Sequence, residues 1–220
     1  MSFHDMGFWI QSARTDARLA KLKKQYCLTE AFDQLYSETP DPWGFMNPRY
    51  RYQRLKYSKI IAILPEQRFR NVLDVGCGIG VFTRMLSTRA DKTTGMELSS
   101  VAVNVAEKLS LDFPLISYMQ GELEATLPSF ETCFDLVVLA DVLYYLSPLS
   151  DARLEEIIAM AVKATTPGGL ILLANHYFGR MDAGSRLVRT IHNALQSHPE
   201  LILMEEKQHP FFLVSLYQKA

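Results

Sequence analysis

Apolar positions recur at helical spacing through the first 70 residues, then gather into short β-branched runs, so the chain has two textures. In the first, residues 10–26 and 29–38 carry loose helical periodicity, and the Asp41-Pro42-Trp43-Gly44 turn interrupts it. A helix is predicted over 48–64, with Pro48 in its first turn and Pro65 just beyond its end. In the second, apolar runs at 71–75, 93–97, 116–119, 134–139 and 170–174 predict strands separated mostly by amphipathic helices. The clearest helix covers 151–164, where Leu154, Ile157, Ile158, Ala161 and Val162 repeat with helical period. Asp151 is its expected cap, and Thr166-Pro167-Gly168-Gly169 the expected turn after it. Strands alternating with helices predict a parallel sheet covered on both faces. The last two apolar runs, 201–207 and 211–217, are separated only by Gln208-His209-Pro210, too few residues for a crossover helix, and predict an antiparallel hairpin. The expectation is therefore an α/β fold. It has a doubly wound, mostly parallel seven-stranded sheet ending in an antiparallel β-hairpin, with an N-terminal helical cap or lid over 1–70 and a core over 71–220.

Composition agrees with one large domain: 220 residues, 48% of them apolar, suffice to bury roughly 70% of the unfolded surface without staples. Cys27, Cys77 and Cys133 form no CxxC pair, which fits neither a zinc cage nor a disulfide framework and points to a reducing, cytoplasmic compartment. Cys133 reads as the start of a buried strand. The N-terminus lacks a basic leader, and no apolar run nears the ~18 residues that span a bilayer, so no membrane partner is expected. Net charge is −1, but residues 1–70 carry 12 Lys/Arg against 7 Asp/Glu while the remainder carries 11 against 17. The excess peaks at Arg49, Arg51, Arg54, Lys56, Lys59, Arg68 and Arg70, either a solvated helix face or a positive rim for an anionic substrate or RNA.

The strongest chemical signal is Val72-Leu73-Asp74-Val75-Gly76-Cys77-Gly78-Ile79-Gly80, an apolar strand entering a glycine loop that opens a helix near Val81. Glycine there permits positive φ and close approach of backbone to a nucleotide ligand. A dinucleotide fingerprint wants a third glycine where Val81 stands, so pyrophosphate binding is disfavoured. An Asp inside the strand suits a loop that attracts an ammonium group. Glu97, ending the next strand ahead of a helix cap at Ser99, can bind both hydroxyls of a ribose.

Over roughly residues 70–217 the sequence resembles the class I methyltransferases that use S-adenosylmethionine. VLDVGCGIG resembles their first motif, GMELS at 95–99 their ribose-binding second strand, and QGELEATLP at 120–128 the loop flanking adenine. FDLVVLADVLYYL at 134–146 and TTPGGLILLANH at 165–176 resemble the fourth and fifth strand motifs. The resemblance implies a Rossmann-like methyltransferase fold and S-adenosylmethionine as cofactor. Asp74, Gly76, Cys77, Gly78, Gly80, Glu97 and Leu98 would hold the cofactor, Glu122 would accept from the adenine amino group, Leu123 would contact the ring, and Ala140 with Asp141 would border the methionyl part. Many relatives carry Asp where Glu122 stands. Within the class, Asp41-Pro42-Trp43 and Tyr52-Gln53-Arg54-Leu55-Lys56-Tyr57 resemble the DPW…YExxKY element of nodulation protein S-like enzymes, which N-methylate sugar-derived amines; Gln53 replaces their usual Glu.

That resemblance implies an enzyme transferring a methyl group to a nitrogen or oxygen of a small molecule, a sugar-like amine foremost. His176, past the fifth strand, leads the candidates for a catalytic base, followed by Tyr144 and Tyr145 after the fourth. Ala140-Asp141-Val142-Leu143 stands where adenine-N6 enzymes carry an N/D-P-P-Y/F tetrad, and neither Cys77 nor Cys133 is placed to attack a cytosine, so nucleic acid is not the favoured partner. Asp141 with Ala174-Asn175 is one oxygen ligand short of a catechol-type Mg²⁺ site, and no metal is expected. Two alternatives share the cofactor motifs, an NAD-type oxidoreductase and a non-catalytic S-adenosylmethionine-binding partner subunit.

Overall fold

The structure, a computed structural model, describes residues 3–179 and 182–220; residues 1 and 2 of the expected cap, and 180 and 181, lie outside the description. In chain order the elements are α1 (Phe3–Leu22), α2 (Leu28–Glu38), α3 (Arg51–Ile61), β1 (Phe69–Val75), α4 (Val81–Ser87), β2 (Ala90–Glu97), α5 (Ser100–Leu109) and β3 (Ile116–Gln120). They continue as α6 (Leu123–Thr126), β4 (Phe134–Ala140), α7 (Asp151–Ala164), β5 (Thr165–His176), α8 (Ala183–Gln196), β6 (Leu201–His209) and β7 (Phe212–Lys219). The sheet runs β3-β2-β1-β4-β5-β7-β6. Its first five strands pair in parallel, β7 is antiparallel to β5, and the β6–β7 hairpin closes the edge as expected.

The period of two along each strand divides the core. Leu73, Val75, Val137, Leu139, Ile171 and Leu173 face one side, where Leu154, Ile157, Ile158 and Ala161 of α7 and Ile191 and Leu195 of α8 cover them. Val72, Leu136, Val138, Leu170, Leu172 and Ala174 face the other, under Tyr57 and Ile60 of α3 and Phe82 and Leu86 of α4. Central strands buried on both faces explain why these segments read as unbroken apolar runs. Helix α3, from the segment expected to form the cap, packs on the sheet as part of this second layer. A further cluster joins α1, α2, Trp43 and Ile79 over the carboxyl ends of the strands.

Three local expectations are corrected, and one helix is added. The cap of α7 is Ser150, whose hydroxyl accepts from the Arg153 N–H, and Asp151 is the first helical residue. Thr166-Pro167-Gly168-Gly169 belongs to β5, as a bulge: Thr165 pairs with Phe134 and Leu170 with Leu136, so the extra residues are taken up opposite β4 and Gly168 adopts φ 72°. Cys133 is exposed and precedes β4. Helix α8, unassigned from the sequence, buries Val188, Ile191 and Leu195 and is capped by Asp182, which accepts from Ser185 N–H at 2.7 Å.

Candidate active site

The parallel strands end in one cavity of about 530 Å³, within the range of small-ligand sites. At the end of β1, Gly76 and Cys77 donate their N–H groups to Met96 O at 2.8 and 3.1 Å, tying the glycine loop to β2. Gly78 sits at φ 54°, and a Cβ there would stand 3.0 Å from Tyr36 Oη, so any side chain would be strained and would enter the cavity. Glu97, 6% exposed, locks the loop from below: its carboxylate accepts from Gly78 N–H at 2.8 Å, Leu98 N–H at 2.8 Å and Ser99 N–H at 3.1 Å. Ser99 caps α5 as the sequence implied. Burial pushes the Glu97 carboxyl upward against the pull of those amides.

Asp74 is 2% exposed, and Thr83 Oγ1 donates to it at 2.7 Å. Burial pushes its carboxyl up to about 7, opposed by the Thr83 hydrogen bond and reinforced by Glu97. Glu122 precedes α6, and Leu123 is buried beside it; both line the cavity.

The other half lies across β1, at the ends of β4 and β5. Asp141 adopts φ 55°, an uncommon conformation for a non-glycine residue. Its Oδ1 accepts from the His176 backbone N–H at 3.0 Å and stands 3.2 Å from His176 Nδ1, while Oδ2 meets the ammonium of Lys56. Burial alone would raise the Asp141 carboxyl, but His176 and Lys56 together hold it well below the usual carboxylate range. The His176 Nε2 is buried without a hydrogen-bond partner, on a side chain 18% exposed that lines the cavity. Tyr144 and Tyr145 follow β4 on a short 3₁₀ turn, Leu143–Leu146. Burial lifts both phenols well above their ordinary value, and Tyr145 Oη donates to Asp16 at 3.1 Å.

Of the residues expected to touch cofactor or acceptor, Asp74, Gly76, Cys77, Gly78, Glu97, Leu98, Glu122, Leu123, Ala140, Asp141, Tyr144, Tyr145 and His176 all line this one cavity. Gly80 is the exception. It is the N-cap of α4 at φ 74°, and a Cβ there would collide with Tyr118 Oη. The sequence reading missed the wall supplied by α1, where Trp9, Ser12, Ala13 and Asp16 present one helical face to the cavity. Their i, i+3, i+4, i+7 spacing was the available signal. It also placed Lys56 in a basic surface run, whereas Lys56 is fully buried; Gln53, Lys56, Tyr57 and Ile60 form the inward face of α3 at that same spacing. Arg49, Arg51, Arg54, Lys59, Arg68 and Arg70 are exposed and absent from the described cavity lining.

Asp16, Asp74, Glu97, Glu122 and Asp141 line the cavity, and no Lys or Arg is among its described lining residues. Such a surface suits a cationic ligand carrying neutral hydroxyls and repels a pyrophosphate. S-adenosylmethionine, with a sulfonium, an ammonium and a ribose diol, fits this donor set; a nicotinamide dinucleotide does not. Among the described residues no cluster of His, Cys, Asp and Glu could hold a metal ion, and no helix is long and apolar enough to cross a membrane.

Residues 73–173 match the family model of a methyltransferase domain. The chain is 26% identical over 137 residues to nodulation protein S of Rhizobium tropici, an alignment covering 61% of this chain and 55% of the relative. It is also 26% identical over 144 residues to a ubiquinone biosynthesis O-methyltransferase of Alkalilimnicola ehrlichii, covering 65% and 56%. The chain thus spans about half the length of the curated relatives it matches. The crystal structure of the N-methyltransferase NodS from Bradyrhizobium japonicum, in complex with S-adenosyl-L-homocysteine, superimposes with a TM-score of 0.71 at 22% identity, covering 87% of this chain and 98% of that one.

Proposed function

With residues 73–173 forming a methyltransferase domain on the class I fold, we propose that the protein transfers a methyl group from S-adenosylmethionine to a nitrogen of a small-molecule acceptor, an amine on a sugar-like scaffold. The observation that carries this reading is the pairing, in one cavity, of a glycine loop and Glu97 on one side of β1 with a partnerless His176 Nε2 on the other. Open parallel sheets bind ligands at such carboxyl ends, where the strand order reverses.

Gly76 to Gly78, Glu97, Leu98, Glu122 and Leu123 would hold the nucleoside, and Asp74 would attract the ammonium. The bound cofactor supplies a methyl group already activated on a sulfonium, so the chain's own task is alignment and proton removal. His176 Nε2 accepts the proton that the acceptor nitrogen must lose, while Nδ1–H remains on Asp141. Tyr144 and Tyr145, their phenols lifted by burial, serve as hydrogen-bond donors and walls near neutral pH. Trp9, Phe32, Trp43, Phe45 and Phe178 give the acceptor space aromatic sides, suited to the C–H faces of a sugar and to a cation.

The alternative of an oxygen acceptor draws on the likeness to ubiquinone biosynthesis O-methyltransferases, since the same base would serve a hydroxyl. Turnover with methyl-labelled S-adenosylmethionine against amino sugars, simple amines, phenols and RNA tests the reading. We expect label on amine nitrogen, and His176→Ala to lower kcat more than cofactor affinity. Binding of S-adenosylhomocysteine without transfer to any acceptor would favour a non-catalytic subunit, and label on RNA alone would overturn the small-molecule reading.

A further inference from the structure

Lys56 has no explanation in cofactor binding. A lone buried ammonium costs several kcal/mol, and a Met or Leu would fill the same space at no such cost. The chain nevertheless buries this lysine on α3 and aims it at Asp141, 85 residues away in sequence. Both oxygens of Asp141 are then engaged: Oδ2 by Lys56, Oδ1 by the His176 backbone N–H, with the ring Nδ1 3.2 Å from it. A proton on Nδ1, beside the carboxylate, leaves the His176 lone pair on Nε2, the atom without a partner.

We propose that Lys56 is a positioning residue of the transfer reaction: its ammonium locks the Asp141 carboxylate so that His176 presents a proton-accepting Nε2 to the cavity. The inference rests on the reading of His176 as the base and adds a residue that touches neither substrate nor cofactor. It also gives α3 a role, because the base is completed only when this helix packs on the sheet.

The electrostatics follow from the same contacts. An unopposed Asp141 carboxylate would favour the imidazolium form of the ring 3.2 Å away. Lys56 offsets that charge. Among the described residues, Asp16 of α1 and Tyr52 of α3 face His176, and Tyr144 after β4 lines the same cavity. Burial keeps both tyrosines neutral, and Tyr52 Oη is engaged with Phe211 O at 3.2 Å.

The test is ¹⁵N NMR of the histidine rings in the full chain, with His176 assigned by loss of its signals in His176→Ala. Wild type should show the Nδ1–H tautomer. In Lys56→Met the His176 midpoint should rise by about one unit or more, with S-adenosylhomocysteine affinity changed little, while Lys56→Arg should restore the wild-type midpoint. The acid limb of the kcat profile should move upward by the same amount. A folded Lys56→Met with unchanged tautomer and midpoint overturns the proposal. Should Lys56→Met not fold, Asp141→Asn reads the same relay with the lysine left in place: its His176 midpoint should fall, and an unchanged midpoint overturns the proposal equally. Because the NMR measurement needs no turnover, it separates this inference from methyl transfer itself; full activity in His176→Ala would overturn the base assignment and the role of Lys56 with it.

Discussion

Asp74→Asn should flatten the pH dependence of stability between about pH 5 and pH 8. Asp74 lies in the central strand β1, 2% exposed, with Thr83 Oγ1 donating to it at 2.7 Å. Its carboxyl is lifted by burial from 3.8 to about 7. A carboxyl raised on folding binds its proton more tightly in the native state. That contribution is complete below the unfolded value near 4 and is lost as pH rises through about 7. At about 1.4 kcal/mol per unit, the full loss is roughly 4 kcal/mol, of which about 3 kcal/mol falls between pH 5 and pH 8. Asn keeps the shape and an oxygen for Thr83 but has no proton to lose. Urea unfolding of both proteins at the two pH values isolates this group, because Glu97, also raised, and Asp141, lowered, contribute alike to wild type and variant. The variant should gain roughly 2 to 3 kcal/mol on wild type between pH 5 and pH 8. Parallel profiles for the two proteins would refute the claim that Asp74 is a desolvated carboxyl. A companion measurement follows from its proposed ligand: affinity for S-adenosylhomocysteine should rise with pH through about 7 in wild type and stay flat in the variant.

Glu97→Ala removes the acceptor of three backbone N–H groups and should weaken S-adenosylhomocysteine binding tenfold or more, roughly 1.4 kcal/mol, in isothermal titration; unchanged affinity would refute its ribose role. Gly78→Val forces a branched side chain into φ 54° beside Tyr36 Oη and should abolish the thermal shift on ligand addition, whereas NADH should give no shift even with wild type. Trp43, whose Nε1–H donates to Asp16 at 3.1 Å in the cavity wall, should change its fluorescence on S-adenosylhomocysteine binding in a Trp9→Phe background; constant emission and quencher access would mean that this wall is rigid and apart from the cofactor.

What could be read along the chain was local in physical origin. The helix of 151–164 was found residue for residue because a 3.6-residue period depends only on neighbours. The central strands β1, β4 and β5 were found because double burial demands unbroken apolar runs. Asp74, Gly78 and Glu97 were legible because one strand–loop–helix unit and the strand after it hold them. Local signals that tertiary packing reinterpreted misled: Thr166 to Gly169 has turn composition yet is absorbed as a bulge, because β4 offers a partner on both sides of it. The alternation of elements also limited the sheet to a parallel core with a hairpin at its edge, but left its strand order open.

That order decided the site. Placing β1 between β2 and β4 sets the glycine loop beside both Glu97 and Asp141, and the pairing of β4 with β5 brings His176 to Asp141. No periodicity encodes that Lys56 meets a carboxylate 85 residues later, or that Trp9 and Asp16 of α1 wall the same cavity. In a charge run Lys56 resembles its exposed arginine neighbours; only packing of α3 on the sheet takes its ammonium out of water and makes a paired anion obligatory. Sequence spacing determined which backbone could cradle a nucleoside, and the tertiary structure determined which distant charges stand around it, because desolvation exists only once the layers have closed.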